Sequence, residues 1–455
     1  MKRFFAVLVV SLLCLTLFSA CVKEDKFVYR ISEDVDFGGQ TIYYTCGWVN
    51  AYVPSEDDDG SGTAATNYGE ALLKHYKNFI EKYNVKSIEG IAGSHTDKDG
   101  NILMSLLAGT DKSMFIDLSN AVIYNFYKLD LLWAFNDLTN VDLSETEIYG
   151  SPDYLKAVTF DDGKTYAMKC DGAWQPEYVG NGYMFYNANL VKQFNADDPW
   201  QLYKEGKWTF SNFSSYLDTV CDMSLDEPIY GMEIYQDEST FMYSSIFANG
   251  GTLYNNESGS WKFSMLTDTR TVNALAWAAA IEGKDCVVKE DVNSGFFSNG
   301  KATIFQGSTA IYNETIKNYE DIYYIPFPTG SDVKPGEKFY SSFMSGTRML
   351  CVPVGRDPDE AGNFMSLYFS ELEDAPLALR RATDKRNNFF SDDSYSCYYE
   401  ESVHGNFTGA GYPLSASNTA LVQALVNIGK GQSYSSALSA ISNQVQRDLD
   451  QVFNN

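Results

Sequence analysis

Apolar and polar positions along this chain switch between two periods, and the switches mark its elements. Gln40 to Cys46 (QTIYYTC) is β-branched and aromatic, the make-up of a strand. Past a loop rich in Asp, Gly and Ser, the residues Ala71, Leu72, Tyr76, Phe79, Ile80 and Tyr83 recur at three- and four-residue steps, which predicts a helix. A strand follows at Lys86 to Ile91, then a turn at Asp97-Lys98-Asp99-Gly100 and a helix carrying Leu103, Leu106 and Leu107. Ser113 to Leu118 reads as a third strand, with another helix running to about Phe135. This alternation predicts βαβ units and a parallel sheet. In such sheets ligands sit at the carboxyl ends of the strands, here Gly47–Asn50 and Ser119-Asn120.

Further along, two strands flank Asp161-Asp162-Gly163-Lys164, a hairpin turn. Arg270 to Glu282 is helical, and Phe296 to Phe305 reads as a helix end, a turn at Gly300 and a strand. Tyr323 to Pro328 is a strand ending in prolines, and Leu414 to Phe453 is helical with a break at Gly429-Lys430-Gly431. No tandem repeat interrupts this order.

One apolar run fits neither period. Phe4 to Phe18 is almost unbroken, with Lys2 and Arg3 before it and Ser19, Ala20 and Cys21 after it. That is the pattern of a secretory signal peptide, and it is shorter than the roughly 20 apolar residues a spanning helix needs. The cysteine at the cut resembles the bacterial lipobox, with Phe18 where Leu is usual. A cleaved signal in which Cys21 is incidental is the alternative. The lipobox reading makes residues 1–20 a signal peptide, Cys21 a lipidation site and 21–37 a charged tether. Two or more acyl chains give stable anchoring, so the chain is expected outside the cytoplasm, lipid-anchored to the bacterial cell membrane.

Length and charge narrow the function. The 455 residues exceed what one hydrophobic core usually serves, so two domains are expected. Lys and Arg number 34 against 60 Asp and Glu, a net charge of −26; losing Lys2 and Arg3 with the signal takes the mature chain to −28. Such a surface repels nucleic acid and anionic lipid and suits a neutral or cationic ligand. The aromatic content is high, with 32 Tyr, 29 Phe and 7 Trp, and much of it must be core. Tyr and Trp pair a flat apolar face with a polar tip, which suits sugar surfaces.

Beyond Cys14 and Cys21, six cysteines remain: Cys46, Cys170, Cys221, Cys286, Cys351 and Cys397. They carry no CxxC and no metal-ligand spacing, so buried thiols and one or two isolated bridges both stay open. The three histidines, His75, His95 and His404, sit in no HExxH and beside no GxSxG, and no P-loop or GxGxxG follows a strand. Nothing points to an enzyme, and neither cofactor nor metal is expected. The run Asp57-Asp58-Asp59-Gly60 lacks EF-hand spacing and reads as a solvated loop.

The segments that carry most information are Phe79–Val85, Tyr166-Ala167-Met168, Phe185–Leu190, Lys207–Phe213, Phe247–Gly251, Phe297–Ala302, Ile325–Gly330 and Gly429–Gln432 before Ala437-Leu438. In this order and at about this spacing they resemble the extracellular solute-binding proteins of family 1, the sugar-type ABC-importer lipoproteins that include the maltose-binding proteins. The resemblance covers nearly the whole mature chain. It implies an α/β, two-lobed periplasmic-binding-protein-like fold of type II, with the ligand cleft between lobes joined by a multi-segment hinge. The implied N-terminal lobe is 38–165 plus 300–352, and the C-terminal lobe 166–299 plus 353–455. The implied function is capture of a small polar solute, first among them a mono- or oligosaccharide, by a monomer that hands it to ABC permease transmembrane subunits. A surface glycan-capture or sensor protein would show the same fold and site.

By the same resemblance, ligand contacts fall at Trp48 and Asn50 after the first strand, and at Asp117, Ser119 and Asn120 at the end of the third. Further contacts are implied at Trp174 and Tyr178, at Glu238, Phe241 and Tyr243, at Ser308 and Thr309, at Ser342 and at Asn418. The maltose-binding members place tryptophan at two of these positions, where this chain has Thr309 and Asn418, and the aromatic matching the region of Leu118 is absent. Maltose is therefore not assigned. Read from their neighbours, Trp208 and Trp277 are core residues and Trp261 sits in a hairpin.

Overall fold

The structure, a computed structural model, describes residues 35–46, 52–54, 69–92, 98–119, 122–169, 180–234, 238–257, 260–289, 295–308, 321–343, 348–374, 391–406 and 415–453. The signal peptide, Cys21 and nearly all of the tether lie outside the described residues. In chain order the first elements are β1 (Thr41–Cys46), α1 (Gly69–Lys82), β2 (Ser87–Ala92), α2 (Lys98–Leu107), β3 (Ser113–Ser119), α3 (Ile123–Lys128), β4 (Leu132–Trp133), α4 (Thr146–Tyr149) and α5 (Pro152–Ala157). Then come β5 (Asn181–Asn187), α6 (Ala188–Gln193), α7 (Pro199–Lys204), α8 (Phe210–Thr219), β6 (Tyr230–Ile234), α9 (Glu238–Ala248), β7 (Tyr254–Glu257), β8 (Ser260–Phe263), α10 (Thr269–Glu282) and β9 (Val287–Lys289). The last are β10 (Ala302–Ser308), β11 (Ile322–Ile325), β12 (Arg348–Pro353), α11 (Pro358–Tyr368), α12 (Asp392–His404), α13 (Ser415–Gly429) and α14 (Tyr434–Phe453).

Two five-stranded sheets organise these elements, in the orders β2-β1-β3-β12-β4 and β9-β6-β10-β5-β11. The two have the same plan. Three parallel strands lead, β1 lying between β2 and β3 in one sheet and β6 between β9 and β10 in the other. The fourth strand is antiparallel to its neighbours on both sides, β12 in the first sheet and β5 in the second. Each of these antiparallel strands is the one by which the chain enters that sheet from the other lobe. The fold is thus mixed α/β with two lobes.

The lobe boundaries differ from the expected ones. Residues 300–352 were expected to return to the first lobe, yet β10 and β11 lie in the second sheet, and only β12 returns. Residues from 353 on were expected in the second lobe, yet α11 packs on the first. Its Phe364 stacks near Phe115 with centroids 5.9 Å apart and meets Phe79 edge-on at 5.6 Å. The Tyr368 hydroxyl donates to the Tyr52 carbonyl at 2.6 Å, and His75 on α1 contacts the Tyr368 carbonyl through Nε2 at 2.9 Å. Phe364, Tyr368 and Phe369 are all fully buried, and burial stabilises by roughly 2 kcal/mol per side chain of this size. Long-range apolar contact decides the membership, which sequence order cannot show.

Local signals explain the element ends. Asp357-Pro358, Asp198-Pro199 and Ser151-Pro152 each put a capping oxygen before a proline in the first turn, and each cap accepts a backbone N–H. The helix expected to reach Phe135 stops at Lys128 because Asp130 takes a left-handed backbone, φ 55°, and the chain re-enters as β4. The hairpin at 161–164 is one bridge, Thr159 to Thr165, around a turn with Gly163 at φ 76°. Phe296 to Gly300 form turns rather than a helix end, with Gly300 at φ 68° before β10. Trp208 is buried with its indole N–H donating to the Pro326 carbonyl, and Trp277 stacks on Phe210 at 3.7 Å, both as core residues. Trp261 sits on the β7–β8 hairpin opposite Asn256.

Candidate ligand-binding site

The sheet registers place the candidate strand ends beside the strands by which the chain changes lobe. In the first sheet Arg348, which opens β12, lies opposite Ser119, which ends β3. In the second, Asn181, which opens β5, lies opposite Ser308, which ends β10. Each antiparallel strand therefore begins where its parallel neighbour ends. The connections run between these same edges. Met168 bridges Leu350 in the first lobe, and Asn181 bridges Phe343 in the second. Phe343 and Arg348 are only five peptide steps apart, a reach of no more than ~18 Å. The carboxyl ends of β3 and β10 must therefore lie near one crossover region. This is where an open α/β sheet binds ligands, here once in each lobe.

A third tie crosses the lobes beside these connections. His404 ends α12, whose Ser394 hydroxyl donates to the Tyr324 carbonyl of β11. Its Nδ1 is 2.7 Å from the Asp153 carboxylate on α5, and its ring stacks on Tyr340 at 5.4 Å. Tyr154 and Ala157 of α5 belong to the core around Ile116 and Met349, so Asp153 is a first-lobe residue.

Glu401 holds the second-lobe side of the crossover. Its carboxylate accepts the Ser341 N–H at 3.3 Å on one oxygen and the Ser342 N–H at 3.1 Å on the other. The Ser342 hydroxyl donates to the Glu401 carbonyl at 2.7 Å, and the Ser341 hydroxyl donates to the Gly182 carbonyl at 2.8 Å. Complete burial pushes the Glu401 carboxyl above its ordinary range, and the hydrogen bonds from Ser341 and Ser342 pull it partly back. Asn406 Nδ2 donates to the carbonyls of Tyr340 and Ser342. The crossover from Tyr340 to Phe343 is thus fixed by α12 and the residues just after it.

The sequence-derived candidates divide accordingly. Ser119 stands at the first-lobe edge, its hydroxyl donating to Asp99 at 2.5 Å and its N–H to the same carboxylate at 3.4 Å. Asp117 is buried on β3 opposite Leu350, and buried Lys169 follows Met168 on the next chain across. Ser308 marks the second-lobe edge, and Ser342 belongs to the crossover. Glu238 opens α9 and Asn418 lies in the first turn of α13.

Phe241 and Tyr243 were expected to face ligand, and the structure instead sets both in the second-lobe core. Residues 239–248 of α9 are all buried. The Phe241 ring lies 5.5 Å from both Trp277 and Phe327, and the Tyr243 ring 5.4 Å from Phe343. A helix buried on every side gives its aromatics no open face. The expected contacts Trp48, Asn50, Asn120, Trp174, Tyr178 and Thr309 lie outside the described residues. Sequence reasoning missed Glu401, Asn406 and the Asp153–His404 pair. Their partners lie between 59 and 251 residues away, so no local pattern marks them.

No helix among the described residues is long and apolar enough to cross a membrane. No group of three or more His, Cys, Asp or Glu side chains among them could hold a metal ion.

No family model matches the chain, and no curated protein matches it. Solved structures do. The cyclic α-maltosyl-1,6-maltose binding protein from Arthrobacter globiformis aligns at TM-score 0.63 and 14% identity, over 90% of this chain and 99% of its own. UgpB from Mycobacterium tuberculosis in complex with glycerophosphocholine aligns at TM-score 0.62 and 16% identity, over 90% and 98%. The sugar-binding protein MalE from Xanthomonas citri aligns at TM-score 0.62 and 13% identity, over 90% and 98%. All three are named as binding proteins or solved with a bound solute. At these identities the likeness fixes the architecture, and this chain has the two-lobed fold of those solute-binding proteins.

Proposed function

We propose that this chain is the substrate-binding lipoprotein of an ABC importer. It captures a small polar solute, a carbohydrate first among them, between its lobes and delivers it to permease transmembrane subunits. The observation that carries this reading is the pair of strand-end edges meeting at one crossover region. A ligand held there touches both lobes only when they close, so it shifts the population toward the closed form. The neighbours support the solute class. One is named for a cyclic maltosyl-maltose and another was solved with glycerophosphocholine. Both solutes are rich in polar groups, and a net charge of −26 suits a neutral or zwitterionic ligand.

In this reading Trp48 and Trp174 supply stacking faces, while Asn50, Asn120, Ser119 and Ser308 supply polar contacts. Cys21 carries the lipid, and a tethered carrier gains effective concentration at its permease. The chain binds without catalysis, so oligosaccharides incubated with it stay intact.

A thermal-shift screen over mono- and oligosaccharides, polyols and glycerophosphocholine tests the reading. A true ligand at 100 times its Kd stabilises by about 2.7 kcal/mol. Trp48→Ala and Trp174→Ala should then weaken that ligand at least tenfold with the unliganded Tm unchanged. No shift with any carbohydrate would remove the sugar assignment. Normal uptake in a strain lacking the protein would remove the transport role.

A further inference from the structure

Cys221 and Cys286 stand 65 positions apart in sequence, yet the fold brings them to one edge of one strand. The Ile229 N–H donates to the Asp222 carbonyl at 3.0 Å, and the Gly231 N–H donates to the Cys286 carbonyl at 2.9 Å. Residues two apart on a strand present their N–H groups to the same edge. The chain leaving α8 and the chain entering β9 therefore meet end to end beside β6. Both sulfurs converge on Asp218: Cys221 Sγ is 3.8 Å from its carbonyl oxygen and Cys286 Sγ is 3.9 Å from its carboxylate. Both thiols thus lie against the same residue. Cys221 is partly open to solvent and Cys286 is buried. Lys284 pairs with Asp218 at 2.9 Å, so a cation also sits beside the pair.

We propose that Cys221 and Cys286 form a redox-active pair that closes to a disulfide when the protein meets a small-molecule or protein disulfide. The two sulfurs have unequal roles. Burial pushes the Cys286 thiol up to about 12. Burial also raises Cys221, which is partly open to solvent, so Cys221 ionises first.

With glutathione disulfide as oxidant, the Cys221 thiolate attacks one sulfur. Its S–S bond breaks, one glutathione thiolate leaves and a Cys221–glutathione mixed disulfide forms. Cys286 then attacks the Cys221 sulfur and expels the second glutathione thiolate. The two cysteine protons end on the two glutathione thiols. The two protein sulfurs are oxidised and the oxidant disulfide is reduced, with no other reactant. The bridge ties α8 to the outer strand β9, on the far edge of the sheet from β5. It stabilises the second lobe without touching the strand ends that bind solute.

The test uses the full mature chain, reduced and then exposed to oxidised glutathione, with intact mass and mapped peptides as readouts. The expected result is a loss of about 2 Da and a crosslink joining the peptides of Cys221 and Cys286. For the ~65-residue loop, unfolding should shift about 5 °C upward relative to the reduced form. Cys286→Ser should stop at the mixed disulfide and keep one glutathione on residue 221, and Cys221→Ser should take up none. Recovery of both thiols in alkylatable form overturns the proposal. So does a glutathione adduct that persists on the wild-type chain, since it would show that Cys286 cannot reach.

Discussion

The two lobes share a sheet plan and differ in how they hold their return segments. In each, three parallel strands are joined by one antiparallel strand that arrives from the other lobe. The first lobe secures its late arrival, α11, with rings. Phe364, Tyr368 and Phe369 enter a nest of Tyr44, Tyr52, Phe79 and Phe115, with hydroxyl-to-carbonyl bonds at the rim. The second lobe secures its late arrival, α12, with a buried carboxylate that gathers the Ser341 and Ser342 backbone. Apolar burial tolerates shape change within limits. A buried carboxylate gathered by two backbone N–H groups depends on each of them, because each lost partner leaves a desolvated group. The same plan is thus closed by ring packing on one side and by a hydrogen-bonded buried carboxylate where the lobes connect.

The strongest test of that contrast is Gly362→Ala on α11. A Cβ there would sit 2.0 Å from the Thr139 carbonyl oxygen and 2.7 Å from the Thr139 nitrogen, both backbone atoms of the first lobe. With α11 where the structure has it, the helix must lift off and the chain should lose more than about 4 kcal/mol, read from denaturant unfolding. With α11 in the second lobe, as sequence order alone implies, the same change would raise helix propensity and add up to about 1 kcal/mol. The sign of the change therefore decides between the two lobe assignments.

Glu401→Ala comes next. It strips the Ser341 and Ser342 N–H groups of their acceptor in a buried site, at an expected cost of about 3 kcal/mol after relief of the carboxylate's own desolvation. Glu401→Gln keeps one acceptor oxygen and should cost about half as much. Amide exchange at Ser341 and Ser342 should accelerate in the Ala variant while that of β1 does not. Equal acceleration in both lobes would mean that Glu401 serves global stability and not the crossover.

The elements themselves were legible. The strand at 40–46, the helix over 71–83 and the final helices split at Gly429-Lys430-Gly431 all stand within a residue or two of where periodicity puts them, since each is fixed by neighbours three or four residues away. Lobe membership was not legible, because it rests on pairs such as His75 with Tyr368 and Asn140 with Asn363, more than 200 residues apart. Among the candidate residues, the strand-end place of Ser119 follows from the βαβ order and that of Ser308 from the resemblance. The place of Phe241 follows from neither, because an aromatic early in a helix reads alike whether it faces a cleft or a core. Cys221 and Cys286 were invisible as a pair, since nothing in their spacing says that both meet Asp218.

The smallest predicted effect separates the lobes by pH. His75 ties α1 to the end of α11 in the first lobe, and burial holds its imidazole below the ordinary value of 6.5 while the Tyr368 carbonyl pulls it partly back. The unfolded chain therefore binds more protons at this site than the folded one between the lowered value and 6.5. The stability that His75 contributes is present above that window and is lost as pH falls through it. Glu401 acts with the opposite sign. Its raised carboxyl makes the folded chain the better proton binder above the ordinary carboxylate range, so acidification through that range does not weaken the second lobe by this route. Between pH 7.5 and 5.5, wild type should lose about 0.5–1 kcal/mol more stability than His75→Gln, which keeps a neutral donor toward the Tyr368 carbonyl. Amide exchange should locate that loss in α1 and α11. An equal loss in both proteins would show that His75 titrates alike folded and unfolded, and the ring nest alone would then carry the first lobe's closure.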